Sequence, residues 1–411
     1  MRIDLTPWRA SREYRLLCSA GTVFSIGQMM TYAAVPYQVR VLTGSNAAVG
    51  AIAALEVLPI IVFGLWGGAL ADHLDRRKLL VRTGAGQVVL TLMLVVNASV
   101  RNPQVWVLFA AAPLAVVLSS LQRPSREALI PRVVERGQLA AAVSLSSLGM
   151  QVGQLLGPAI GGVLAVTAGV RWAFTVDLVG LAAATWLFSR LDPHPPEAGG
   201  PRASVASIVD GLRYALGRKD LLGTYVIDLA AMTLAYPLAL YPALALDVFP
   251  QKGTLGLLYA AETVGTLAAT LTSGWTGHVR RRGRVVVLAA VGWGAAVGLA
   301  GVMPSVWLAL VCFAAGGVAD QLSGLFRGII WHETIPDAYR GRLAGVEMLS
   351  YSLGPMLGQL RGGLMADAVG ARPTLFIGGV ACVLGVIVVA LLLPAFWRDR
   401  SDDPAPALVV G

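Results

Sequence analysis

Twelve stretches of this chain are each apolar for long enough to cross a lipid bilayer, and nothing else in the sequence restricts its fold so tightly. They fall near 16–39, 48–70, 79–97, 104–121, 140–165, 172–190, 221–246, 254–276, 285–303, 305–325, 343–366 and 374–396. Crossing a hydrocarbon core about 30 Å thick takes about 20 apolar residues. In lipid every backbone N–H and C=O needs an internal partner, so only helices and closed barrels cross. These runs are continuous rather than alternating, which selects helices over barrel strands. Charged residues make up 13% of the 411 residues, against roughly 25% in a soluble domain. So few charges cannot cover a soluble protein of this size. The expected class is an all-α integral membrane protein.

The cations are sorted between alternate connections. Of the 32 Lys and Arg, Arg40, Arg101, Arg171, Lys252 and Arg372 fall in one set and Arg361 falls inside a span. All the others fall in the opposite set and at the two ends of the chain. The positive-inside rule then puts both termini in the cytoplasm of a bacterial inner membrane and requires an even number of spans. Topology accounts for the net charge of +9 without nucleic acid. The first apolar run is too long for a cleaved signal and reads as span one. Cys18, Cys312 and Cys382 all lie in spans, too scattered for a metal motif, and are expected to pack as small apolar residues.

The chain repeats itself. Ser147-Leu148-Gly149, Gly153-Gln154-Leu155 and Gly157 return as Ser352-Leu353-Gly354, Gly358-Gln359-Leu360 and Gly362. Gly50, Glu56 and Gly68 return as Gly256, Glu262 and Gly274. Between the copies lies a Pro/Gly-rich stretch, 192–204, that reads as a linker. The expected organisation is a six-helix bundle over 1–191, a linker with a membrane-surface helix over 192–220, a second bundle over 221–397 and a tail over 398–411. Parallel six-helix repeats are the plan of secondary transporters, with a binding site between the halves near mid-depth.

After span two the chain reads Gly68-Ala69-Leu70-Ala71-Asp72-His73-Leu74-Asp75-Arg76-Arg77-Lys78. This resembles the loop signature between spans two and three of the major facilitator superfamily, where Gly is usual at the place of Asp75. Gly68 permits close helix approach, Asp72 is suited to capping a facing helix, and Arg76 and Arg77 to pairing with carboxylates or lipid phosphates. The resemblance gives this loop a gating role. Span five carries Gly153, Gly157, Pro158, Gly161 and Gly162 in the order G-x-x-x-G-P-x-x-G-G. That is similar to the signature of the superfamily's drug:proton antiporters and implies export. Val35-Pro36-x-Gln38, Tyr241-Pro242-Ala243 and Leu258-Tyr259-Ala260-Ala261 extend the resemblance to siderophore exporters of that superfamily. It implies two pseudo-symmetric bundles, alternating access and export of a drug, antibiotic or siderophore. Many of these antiporters carry an arginine inside span four, whereas 104–121 contains no charge.

Ionisable groups inside spans are costly and mark function. Glu56 and its repeat mate Glu262 lie roughly nine residues, about 13 Å, in from the outer surface. Arg361 sits at similar depth, placed to pair with Glu262. By analogy Asp228 and Asp320 face the same cavity; Asp177 and Glu347 are weaker candidates. Structural ion pairing is the alternative for each. Gln28, Tyr32, Tyr37, Tyr236, Tyr241, Tyr259, Gln321 and Tyr351 are candidate contacts for an amphipathic cargo, or packing residues.

The expected function is proton-coupled export by a monomer in contact with lipid, its alternative a proton-coupled uptake symporter. No cofactor or metal is expected. No G-x-x-x-x-G-K-[ST] occurs, the lysines are Lys78, Lys219 and Lys252 alone, and the four His share no metal spacing. Those absences argue against an ATP-driven pump or an enzyme. A receptor or scaffold is disfavoured by the paired intramembrane acids.

Overall fold

The structure is a computed structural model that describes residues 4–195, 213–214, 217–335 and 337–398; side chains at 64–73 and at most of 337–349 fall outside the description. The expected surface helix near 207–222 and the tail lie largely beyond it. Among the described residues there are twelve long helices. They are α1 (Arg12–Thr43), α2 (Asn46–His73), α3 (Arg76–Ser99), α4 (Val105–Val133), α5 (Leu139–Thr167), α6 (Val170–Ser189), α7 (Lys219–Ala235), α8 (Thr254–Leu271), α9 (Arg282–Val302), α10 (Val306–Thr334), α11 (Asp337–Val369) and α12 (Ala371–Leu392). Ten of the predicted spans are long and apolar enough to cross a membrane in the described residues; α1 and α11 are the exceptions. Both carry polar residues through their middles, Gln28 and Thr31 in α1 and Gln359 and Arg361 in α11. A helix surrounded by other helices tolerates them because protein, not lipid, faces those positions.

Local chemistry sets the helix ends. Ser45 Oγ accepts from the Ala48 N–H at 3.1 Å and starts α2. Asp75 Oδ1 accepts from the Lys78 N–H at 2.9 Å and starts α3. An N-cap acceptor satisfies one of the first unpaired N–H groups, so Asp75 has a structural job where the related loop signature has glycine. Gly169 at φ 97° and Gly370 at φ 91° make left-handed turns in corresponding connections, into α6 and α12.

Four helices depart from expectation. Span seven stops at Ala235 and resumes as short helical turns over 238–248. Pro237 lacks an N–H and pushes Tyr236 out of the helical region; its ψ is 118°. Helix α8 ends at Leu271, where the Thr272 and Ser273 hydroxyls donate to the carbonyls of Ala268 and Thr270 at 2.8 and 2.7 Å. Such side-chain bonds compete with helix continuation. In the other direction, α4 and α10 run past their apolar stretches, to Val133 and Thr334.

The chain forms two compact units, Met1–Ala203 with Tyr241–Ala260, and Ser204–Leu240 with Ala261–Gly411. In the first, α1 packs on α5 and α6, and α3 on α4 and α6. In the second, α7 packs on α11 and α12, and α9 on α10 and α12. The sequence repeat is thus a repeat of helix pairing. Tyr14, Leu17, Phe24, Leu80, Leu129 and Phe188 belong to one core cluster of the first unit. All three cysteines are free, with Cys18 and Cys382 buried.

Candidate functional site

The span-five glycines form the crossing of α5 on α1. A Cβ at Gly153 would lie 2.6 Å from Ser25 Cβ, one at Gly157 2.6 Å from the Ile26 carbonyl, and one at Gly161 2.6 Å from the Met30 carbonyl. Pro158 is buried beside them. In the second unit a Cβ at Gly354 would lie 2.8 Å from Met232 Cβ, and one at Gly358 2.8 Å from Tyr236 Cβ. Small residues let helix backbones approach this closely, so the repeated sequence marks the same crossing twice.

Gly162 points elsewhere. Its Cβ would lie 2.7 Å from the Gly256 nitrogen at the start of α8. The segment 241–260 belongs to the first unit, and Arg40 at the end of α1 pairs with Asp247 at 2.7 Å. Tyr241 and Tyr259 meet edge to face at 5.1 Å within this segment.

In the loop between α2 and α3, Gly68 and Asp72 lie among the undescribed side chains. Arg76, nearly buried, donates to the Ala128 carbonyl of α4 at 2.9 Å. Arg77 donates to the Ser189 carbonyl at the end of α6 at 2.6 Å. Both were expected to meet carboxylates or phosphates. The Ser189 carbonyl ends α6, where a helix C-terminus offers partial negative charge to Arg77.

Gln28 donates to Ser119 Oγ at 2.5 Å, and Gln87 donates to the same oxygen at 3.0 Å, joining α1, α3 and α4. Glu56 is partly buried on α2 and makes no ion pair among the described residues. Tyr32 is partly exposed; Tyr259 is buried. Asp177 is almost fully buried and accepts from Thr31. Its Oδ1 lies where a Cβ on Gly27 would collide with it. Asp177→Ala would leave the part-buried Thr31 hydroxyl without its acceptor, at about 1–3 kcal/mol. Its thermal melt in detergent should fall well below that of Asp177→Asn; equal melts would refute the structural role.

The second unit holds the densest buried charge. Asp228 of α7 forms an ion pair with Arg327 of α10, both nearly buried. Ser350 of α11 donates to Asp228 Oδ2 at 3.2 Å. Arg327 Nε reaches the Ser323 carbonyl at 3.4 Å. Asp320 shares a small cleft with Asp228, walled by Ile227, Met232 and Trp293, and Arg327 and Asp228 both act on it electrostatically. Two carboxylates therefore share one cleft, and Arg327 pairs with one of them, Asp228. Asp228 and Asp320 lie among α7, α9 and α10 of the second unit, with Ser350 of α11 beside Asp228.

The apolar run ends at 325 and leaves Arg327 outside it, whereas α10 continues to Thr334. The spacing of Arg327 is the available signal: 320, 323 and 327 share one helix face. Arg126 falls outside its run in the same way, since α4 runs on to Val133. Arg361 does not pair with Glu262. Its Nη1 lies 3.6 Å from Met365 Sδ, and its Nε has no hydrogen-bond partner among the described residues. Glu262 presses its backbone against Gly317 of α10. Tyr236 stands at the α7 break, Gln321 is partly buried and Tyr351 is exposed.

A family model described as transmembrane secretion effector matches residues 4–406. The chain is similar to the enterobactin exporter EntS of Citrobacter koseri, at 29% identity over 414 residues covering 98% of this chain and 97% of that one. It is 30% identical over 412 residues to the enterobactin exporter EntS of Shigella boydii, with the same coverage. Its fold resembles that of a bacterial homolog of the human lysosomal transporter Spinster, at TM-score 0.71 and 16% identity, covering 97% of this chain and 100% of that one. The nucleoside transporter NupG is similar at TM-score 0.74 and 13% identity, covering 94% and 99%.

Proposed function

The chain belongs to the transmembrane secretion effector family, and from that premise we propose that it exports a small amphipathic molecule in exchange for protons by alternating access. It is a multi-pass membrane exporter of the major facilitator fold and not an enzyme. The cargo class is that of a drug, an antibiotic or a siderophore, in keeping with relatives named as enterobactin exporters. Both termini are assigned to the cytoplasm by the distribution of Arg and Lys.

The observation that carries proton exchange is the imbalance around Arg327. One guanidinium neutralises one carboxylate, and Asp228 holds it. When Asp320 ionises, the cleft gains a negative charge that lipid and apolar side chains cannot solvate. Binding a proton at Asp320 removes that cost, and losing it pulls Arg327 toward two acids at once. The cluster thus has two charge states with different preferred arrangements of α7 and α10. Glu56, Glu262 and Arg361 are further coupling candidates. Gln28, Tyr32, Tyr236, Tyr259, Gln321 and Tyr351 are proposed cargo contacts.

Everted membrane vesicles containing the protein test the direction. Given an acid interior, they should accumulate 2-naphthoate, an organic anion, and nigericin should discharge it. Accumulation only in right-side-out vesicles, or of neither 2-naphthoate nor ethidium in either orientation, would refute proton-driven export.

A further inference from the structure

A cavity of about 300 Å³ opens between α1, α4 and α5 of the first unit, well apart in sequence from the Asp228 cluster. Its walls are mostly apolar, with Leu17, Ile130 and Val143 among them, and its one unbalanced charge is Arg126. The guanidinium lies against α1 because residue 21 is glycine; a Cβ there would stand 3.3 Å from Arg126 Cδ. Its one hydrogen bond, to the Gly21 carbonyl, is long at 3.5 Å. The neighbouring Glu127 also lines the cavity, but Arg123 takes its carboxylate at 2.9 Å. Among the described residues Arg126 has no carboxylate partner. Ser146 and Ser147 line the same space from α5, and the Ser146 hydroxyl also meets the Tyr14 hydroxyl at 3.2 Å.

A partly enclosed cation with serines lining the same space and apolar walls around it is complementary to one chemistry, an anionic oxygen on an apolar body. Resting on the export assignment, we propose that this cavity holds the acidic group of the cargo, which is therefore an organic anion carrying a carboxylate or phenolate, and that Arg126 is its charge anchor. The volume suits a ring with an acidic substituent rather than a whole lipid.

Three isosteric probes test it: 2-naphthoate, 2-naphthylmethanol and 2-naphthylmethylammonium, titrated into the full-length protein in detergent at neutral pH. Wild type should bind the anion at least tenfold more tightly than the alcohol. Arg126→Gln should erase that preference, Arg126→Lys should keep most of it, and Arg126→Glu should turn it toward the ammonium. Equal binding of the three probes by wild type would overturn the proposal. So would a parallel loss of all three in Arg126→Gln, the mark of a merely structural arginine. Displacement of naphthoate by short-chain phosphatidylglycerol at matching stoichiometry would assign the site to lipid and overturn it too. An anion preference without transport in vesicles would sink export and leave the site standing. Proton-driven transport of ethidium without any anion preference would do the reverse.

Discussion

Arg327→Ala is expected to cost the second unit about 3–5 kcal/mol, because it strands a buried carboxylate without its cation. Asp228 is almost fully enclosed, and the Ser350 hydroxyl alone cannot replace a guanidinium. Asp228→Asn should cost a comparable amount by stranding Arg327, less whatever charge Asp320 in the same cleft takes up. The decisive variant is the double one, Asp228→Asn with Arg327→Gln. A neutral pair of similar volume carries no uncompensated charge and can be as stable as the ion pair it replaces. Thermal unfolding in detergent should therefore show two low single-variant midpoints and a double variant near wild type. Transport should stay abolished in the double variant, since its cluster can no longer exchange charge. A double variant as unstable as the sum of the singles would mean that the two residues do not act as a pair.

Gly256→Leu should have the next largest effect. A Cβ at Gly256 would press on the Ala159 carbonyl and lie 2.9 Å from Val163 Cγ2. Backbone cannot move aside as a flexible side chain does, and overpacking of this kind costs about 1–3 kcal/mol. A cost of about 2 kcal/mol against the packed arrangement of 241–260 shifts its population roughly 30-fold. The Arg40–Asp247 pair is partly exposed and worth about 1 kcal/mol at most, so it cannot compensate. A cysteine introduced at Leu257 should label markedly faster in Gly256→Leu than in the parent, and transport should fall by an order of magnitude or more. Unchanged labelling would show that the contact does not hold this segment. Gly162→Val tests the same approach from α5, where the nearest atoms also belong to backbone.

The membrane class and the helix count followed from apolar length alone, because lipid leaves the backbone so few options. The twofold repeat was legible in Gly149, Gly153 and Gly157 against Gly354, Gly358 and Gly362, since close helix crossing demands small side chains at fixed spacing. Helix ends were less legible. Hydropathy reports where lipid stops, not where hydrogen bonding stops, so the apolar runs end short of α4 and α10 and leave Arg126 and Arg327 beyond them. The break at Tyr236–Pro237 was written in the proline but masked by the apolar run around it. Partners of buried charges were the least legible part. Depth along a helix put Arg361 level with Glu262, yet its rotation about the axis, set by packing with α7 and α12, left it beside Met365. Asp228 found Arg327 through the same rotational freedom.

Proton exchange at the Arg327 cluster is tested most directly by proton flux in sealed proteoliposomes with trapped pyranine. A gradient of 2-naphthoate should drive protons the opposite way through the wild-type protein. Asp320→Asn should abolish that proton movement while leaving exchange of labelled for unlabelled naphthoate intact. Proton movement of wild-type size in Asp320→Asn would contradict the assignment and place coupling at another acid.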